Sequence, residues 1–250
     1  MGKGTTSPGS RQAAKWIRDR IERGGERVWR FQDFPGVPVS AVAQTLSRLA
    51  RKGTLHRLSK GVYYHSRQTA LGRSLPNPVV IRKLAASRNG GVFPAGIAAA
   101  NLLGFTTQTG GRGEVATSGF RLPRKLLGRE TLVHTRRPEA WVGLSEADAA
   151  LLDFLRRRGK TSELSPEETA RRIVGLFREP GRFERLLTVA DSEPPRVRAM
   201  LGALGEALGK KPRALKRLRE SLNPMSRFDF GALKGLPAAG RWQARERRLS

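Results

Sequence analysis

The sequence predicts an α+β protein: an N-terminal winged helix-turn-helix, a small α/β middle unit and a helical C-terminal region. Three observations carry this. Residues 10–65 run helix, short turn, helix, β-hairpin in their apolar periodicity. Residues 67–142 mix short helical and extended runs. From Ser145 onward the pattern is helical, with repeated start and stop signals.

Residues 1–9 are Gly/Ser/Thr-rich and read as a flexible arm with no apolar core, hence no secretory leader. Ser10 is placed to cap a helix reaching about Arg23, with Ala13, Trp16, Ile17 and Ile21 on one face and Gly24-Gly25 as its stop. Val28 to Phe31 is extended, and Phe31 to Phe34 makes one turn ended by Pro35-Gly36. A second helix runs from Pro38 to Lys52 with Gly53 after it. Its expected apolar stripe is Val39, Val42, Leu46 and Leu49. Leu55 to His65 holds two β-prone runs around Ser59-Lys60-Gly61, a hairpin signal.

Residues 66–76 read as a linker, after which Asn77 caps and Pro78 opens a helix to about Ser87. Val92-Phe93 is extended, Ala95 to Leu103 is a small-residue helix ended by Gly104, and Glu114–Ser118 and Glu130–Arg136 read as strands. Helices are expected near 146–158, 166–178, 182–190, 195–208 and 212–222. Ser145 with Asp148, and Ser165 with Glu168, have the spacing of capping boxes. The domain plan is therefore an arm (1–9), a winged helix (10–66), an α+β unit (67–142), a helical region (143–222) and a basic tail (223–250).

The formal net charge is +27, with 48 Lys and Arg against 21 Asp and Glu, so the chain needs a polyanion or repels itself. Nucleic acid is the first candidate and an anionic membrane surface the second. The charge is uneven: +9 over 1–66, +9 over 67–142, −1 over 143–193 and +10 over 194–250. Arg outnumbers Lys, which suits bidentate phosphate and base contacts; high-GC coding gives the same excess. With no cysteine, disulfides, thiolate zinc sites and thiol nucleophiles are excluded. No run approaches the ~20 apolar residues of a membrane span, so the expectation is a cytoplasmic protein without a membrane partner.

A helix enters the major groove when one face is held by its domain and the other is short and polar. On the helix at 38–52, Ser40, Gln44 and Arg48 are spaced four apart, away from Val42, Leu46 and Leu49. Gln suits adenine, Arg suits guanine, and Ser40 suits a base edge or a phosphate. Arg51, Lys52, Arg57 and Lys60 cluster at the helix end and the wing, where phosphates would lie. The bland alternative is an ordinary amphipathic helix with a solvated face.

The run from Leu46 through Leu49-Ala50-Arg51-Lys52-Gly53 to Ser59-Lys60-Gly61-Val62-Tyr63-Tyr64 resembles the winged-helix domain of the AbiEi-type antitoxin family of type IV toxin–antitoxin systems. The resemblance continues through Pro94-Ala95-Gly96 and Ala100-Asn101-Leu102-Leu103-Gly104-Phe105-Thr106-Thr107-Gln108, and covers roughly residues 11–137. It implies a duplex-DNA-binding repressor of its own operon that antagonises a nucleotidyltransferase-like toxin. A homodimer is compatible with that reading. Apolar residues at 151–177, among them Leu151, Phe154, Ile173 and Phe177, suggest a separate helical core able to seat the protein partner.

Other motifs carry less. The loop Thr106 to Gly113 has phosphate-cradle composition but lacks a P-loop ending. His56, His65 and His134 have no partner at metal-ligand spacing, although His56 and His65 are placed to face each other across the hairpin. The acids read as caps and surface charge, so no enzyme activity and no cofactor are expected. A metal nuclease using Glu114, Glu130 and Asp229 is one rival, and an RNA-binding or structural subunit of a nucleoprotein complex is another. In the tail, Phe228, Asp229 and Phe230 either dock on the protein's own core or clip onto a partner.

Overall fold

The computed structural model describes residues 10–70, 72–89, 91–119, 127 and 130–245. The fold class is α+β, with small sheets among many helices. The chain forms two compact units, one built around residues 10–85 and the other around 86–245.

The first unit opens with α1 (Ser10–Gly24), then β1 (Arg27–Arg30), a 3-10 turn at Phe31–Asp33, α2 (Val39–Arg51), β2 (His56–Ser59) and β3 (Val62–His65). The cap expected of the Ser10 side chain lies outside the described side chains. The sheet order is β1-β3-β2, all antiparallel. This is a winged helix-turn-helix whose second helix is shortened to the 3-10 turn. Its core is Ile17 and Ile21 from α1, Trp29 stacked on Phe34, Val42, Leu46 and Leu49 from α2, and Leu55 and Tyr63 from the wing. Gly61 turns the hairpin at φ +75°, and a β-carbon there would press on the Phe31 ring at 3.2 Å.

Three expectations for this unit change. Val39 is 62% exposed rather than part of the stripe; Thr45 is buried in the core-facing row instead. Residues 66–76 are not a bare linker. Gln68–Thr69 (β4) pairs with Gly72–Arg73 (β5), and the Tyr64 hydroxyl ties Ser74 and the Leu75 carbonyl back to Glu26. His56 and His65 do not face each other: the registers are His56 with Tyr64 and His65 with Arg27.

The second unit contains β6 (Val92–Pro94), α4 (Gly96–Leu102), β7 (Glu114–Thr117) and β8 (Leu132–His134). Then come α5 (Glu146–Arg156), α6 (Pro166–Phe177), α7 (Arg182–Val189), α8 (Pro195–Ala207) and α9 (Pro212–Glu220). The division between the units falls inside α3 (Pro78–Asn89). β6 and β7 are antiparallel, and β7 and β8 parallel.

One core runs through this whole unit, from Phe93 to Trp242. Phe105 stacks on Phe154 with ring centroids 4.0 Å apart, and Phe93 meets Trp141 edge-on. The boundary expected at residue 142 is therefore absent: the small strands cannot bury their inner faces alone, and α5 supplies the missing apolar surface. Leu151, Phe154, Ile173 and Phe177 are spent in this core rather than forming a separate one.

The capping signals resolve differently. Ser165 and Glu168 form the full reciprocal box. Ser145 accepts from the Asp148 amide, but the Asp148 carboxylate is taken by Arg182 and Arg185.

The tail does not stand apart. Phe230, Leu233, Leu236 and Trp242 are buried against the helices, and Asp229 pairs with Arg158. Phe230 is thus not free to clip onto a partner, and Phe228 is half-buried on the same core.

Candidate nucleic-acid interface

α2 is amphipathic in the sense needed for groove entry. Val42, Thr45, Leu46 and Leu49 face the core, while Ser40, Gln44, Arg48 and Arg51 are exposed. Ala43 and Ser47 are half-exposed between them, so the outward strip is narrow and carries small residues that allow close approach. A shallow concavity lined by Ala43, Gln44, Ser47, Arg48 and Arg51 runs along this strip. Lys52, Arg57 and Lys60 are exposed at the helix end and on the wing. The structure thus puts all seven expected contact residues on the surface of the first unit.

The helix and wing are fixed to each other. The Ser47 hydroxyl meets the Tyr63 hydroxyl at 3.1 Å, joining α2 to the central strand β3. Arg73, which belongs to no motif in the sequence, donates to the Gly53 carbonyl at 3.0 Å and meets His56 Nε2 at 3.1 Å. It places a cation at the C-terminal end of α2, which complements the helix dipole. The signal that could have found it is Gly72, whose φ of +104° lets the β4–β5 hairpin fold back. On the opposite strand, burial and the bond to Glu26 hold the Tyr64 hydroxyl protonated beyond the ordinary tyrosine range. The same bond, with help from Ser74, holds the Glu26 carboxyl below its usual value. This network braces the wing and offers no reactive group.

The electrostatics separate the two units. Between Asp33 and Glu114 there is no acidic residue, against eleven Lys and Arg. Among the described residues, Arg48, Arg51, Lys52, Arg57 and Lys60 make no hydrogen bond or ion pair through their side chains. In the second unit, by contrast, Arg137 and Arg157 hold the buried Asp153, Arg182 and Arg185 hold Asp148, and Arg156 holds Glu193. Those arginines neutralise the fold's own carboxylates; the ones on α2 and the wing do not.

The remaining candidates are occupied by the chain itself. In the loop after α4, Glu163 accepts from the Thr106 hydroxyl, the Thr107 amide and the Gln108 side chain, filling the donors a phosphate would use. Of the acids considered for a metal, Glu114 is held by Arg157 and His134, and Asp229 by Arg158. Among the described residues no group of three or more His, Asp or Glu is placed to hold a metal ion, and no helix is long and apolar enough to cross a membrane.

This surface and topology define a winged-helix unit, followed along the chain by a larger α+β unit. A family model described as a family of unknown function (DUF6088) matches residues 28–136, from β1 through β8. Among solved structures the chain is similar to the RV2827C protein from Mycobacterium tuberculosis. The two are 18% identical with a TM-score of 0.51, over 90% of this chain and 86% of that one, which is a likeness of fold. No curated protein matches.

Proposed function

We propose that the protein binds duplex DNA, with α2 in the major groove and the β2–β3 wing on the backbone. One observation carries the reading: five exposed cations with no hydrogen-bond or ion-pair partner among the described residues lie on α2 and the wing, in a stretch of sequence free of acids. Leaving that many charges unneutralised is costly unless a polyanion meets them. Gln44 and Arg48 are the base readers, Ser40 contacts an edge or a phosphate, and Arg51, Lys52, Arg57 and Lys60 contact phosphates. Arg73 joins this phosphate set.

The resemblance of residues 46–64 and 94–108 to AbiEi-type antitoxins extends the proposal to a repressor of its own operon with a toxin as protein partner. The test of the DNA reading is selection from a random duplex library, followed by competition between the selected duplex, random duplex and structured RNA. Preferred retention of one duplex supports the reading. Equal or better competition by RNA points instead to an RNA-binding subunit.

A further inference from the structure

A cleft of about 670 Å³ opens in the second unit between the end of α9, the turn at 224–227 and the chain at 240–245. Four arginines line it, Arg219, Arg227, Arg241 and Arg245, and among the described residues no acidic side chain does. The wall is built rather than incidental. Glu206, set behind it, accepts from Trp242 Nε1 and from Arg241 Nε, each at 2.7 Å. The Arg219 guanidinium lies over the Trp242 ring, 4.4 Å from its centroid, and donates to the Arg241 carbonyl. One carboxylate thus orients two arginines and neutralises at most one.

Arg227 and Arg245 pair with no acid among the described residues. Arg227 donates only to the Pro224 and Ser226 carbonyls, and the Arg245 side chain has no partner among the described residues. The cleft also stores backbone strain. Gln243 sits in the left-handed region at φ 62°, a conformation that costs a non-glycine residue free energy. It is held there by bonds from its side-chain amide to the Asn223 and Pro224 carbonyls, and from Phe228 N to its own carbonyl. That turn is what carries Arg241 and Arg245 to the same cleft. The C-terminal end of α9 opposes an anion here, but its partial charge is about half a unit, against a surplus of several guanidinium groups.

We infer that this cleft binds a small phosphorylated ligand through paired phosphate groups. Guanidinium forks match phosphate oxygens bidentately, and a concave site of this volume suits a small molecule better than the convex backbone of a duplex. Trp242 is buried, so its role is to seat Arg219 and not to stack on a ligand. Arg227 and Arg245 supply the free charge, and Arg219 and Arg241 supply the oriented forks.

The probe is inorganic pyrophosphate, added to the full chain at constant ionic strength and followed by calorimetry and thermal melting. Saturable binding is expected in the wild type. The double variant Arg227→Gln/Arg245→Gln should weaken it by about tenfold or more, because two sets of charge-assisted bonds disappear. The unliganded melting temperature should stay unchanged, because both side chains are at the surface. Arg227→Lys/Arg245→Lys should recover part of the affinity, since charge remains without the fork. Substitution of Gln44 and Arg48 should leave pyrophosphate binding intact. A response that never saturates, or one equal in wild type and double variant, would show only general screening and overturn the inference. Full displacement of pyrophosphate by duplex DNA would also overturn it, by making the cleft part of a nucleic-acid path.

Discussion

The Ser47 hydroxyl, on the half-exposed edge of α2, lies 3.1 Å from the Tyr63 hydroxyl at the centre of the wing sheet. This polar link joins the element placed to read bases to the element placed to hold the backbone. Tyr63 is otherwise buried in the apolar core of the first unit. Tyr63→Phe and Ser47→Ala are each expected to cost about 1 kcal/mol of stability, the usual net value of one hydrogen bond. The double variant should cost little more than either single one, because both remove the same interaction. Chemical denaturation of the three variants checks this; additive losses would mean that the two hydroxyls do not act as a pair.

The wing should contribute affinity without sequence preference. Replacing Arg57 or Lys60 with Ala is expected to weaken binding to selected and random duplexes alike. Each should reduce the slope of log K against log salt by ~1 for every phosphate the side chain had neutralised. Titrations at several salt concentrations measure the slope, and an unchanged slope in both variants removes the wing from the interface.

The C-terminal segment should behave as core. Gly202 on α8 lies under the Trp242 ring, and a β-carbon there would come within 2.1 Å of it. Gly202→Ala is expected to destabilise the second unit by about 1–3 kcal/mol through overpacking, despite alanine's better helix propensity. Thermal melting reads this directly. A neutral or raised melting temperature would show that residues 228–244 are not packed as described.

Acid should destabilise the second unit through its buried aspartates. Burial pushes the Asp153 carboxyl up, but Arg157, the Gly96 amide and Arg137 together outweigh it and hold the group below the ordinary range. Asp148 behaves alike: burial opposes Arg185, Arg182 and Ser145, which prevail. A carboxyl whose pKa is lower when folded contributes its stability above the unfolded value of about 4, and loses it as pH falls through the lower folded value. Asp153→Asn strands Arg137 and leaves Arg157 with Glu114 alone, and is expected to cost about 3 kcal/mol at neutral pH. Its melting temperature should also fall less steeply on acidification than that of the wild type. Parallel acid limbs in the two proteins would contradict the assignment.

Local chemistry was the readable part of this chain. The Gly24-Gly25 stop, Pro38 before α2, Gly61 in the hairpin and the Ser165–Glu168 box each act within a few residues, and each element appears close to where its signal stands. The outward positions of Ser40, Gln44 and Arg48 followed from helical spacing alone. What escaped depends on contacts distant in sequence. Val39 fits a helical stripe by spacing, but it sits at the first turn of α2, outside the core cluster, and stays mostly exposed. Residue 142 looked like a boundary because charge and periodicity change there, whereas Phe105 and Phe154 stack across it. For Phe230 the sequence left docking on the core and clipping onto a partner equally open, because the pocket that buries it is assembled from helices far upstream in the chain. Arg73 became visible only when the β4–β5 hairpin folded it onto Gly53 and His56.

The most direct test of the central claim is the affinity of Gln44→Ala and Arg48→Ala for a duplex selected by the wild-type protein, compared with random duplex at the same salt. Each substitution is expected to cost ~1–3 kcal/mol on the selected sequence and much less on random DNA, with the effect confined to the base step that side chain reads. Equal losses on both duplexes would show that α2 does not read bases. Failure of the wild-type protein to prefer any duplex over random sequence would contradict the account as a whole.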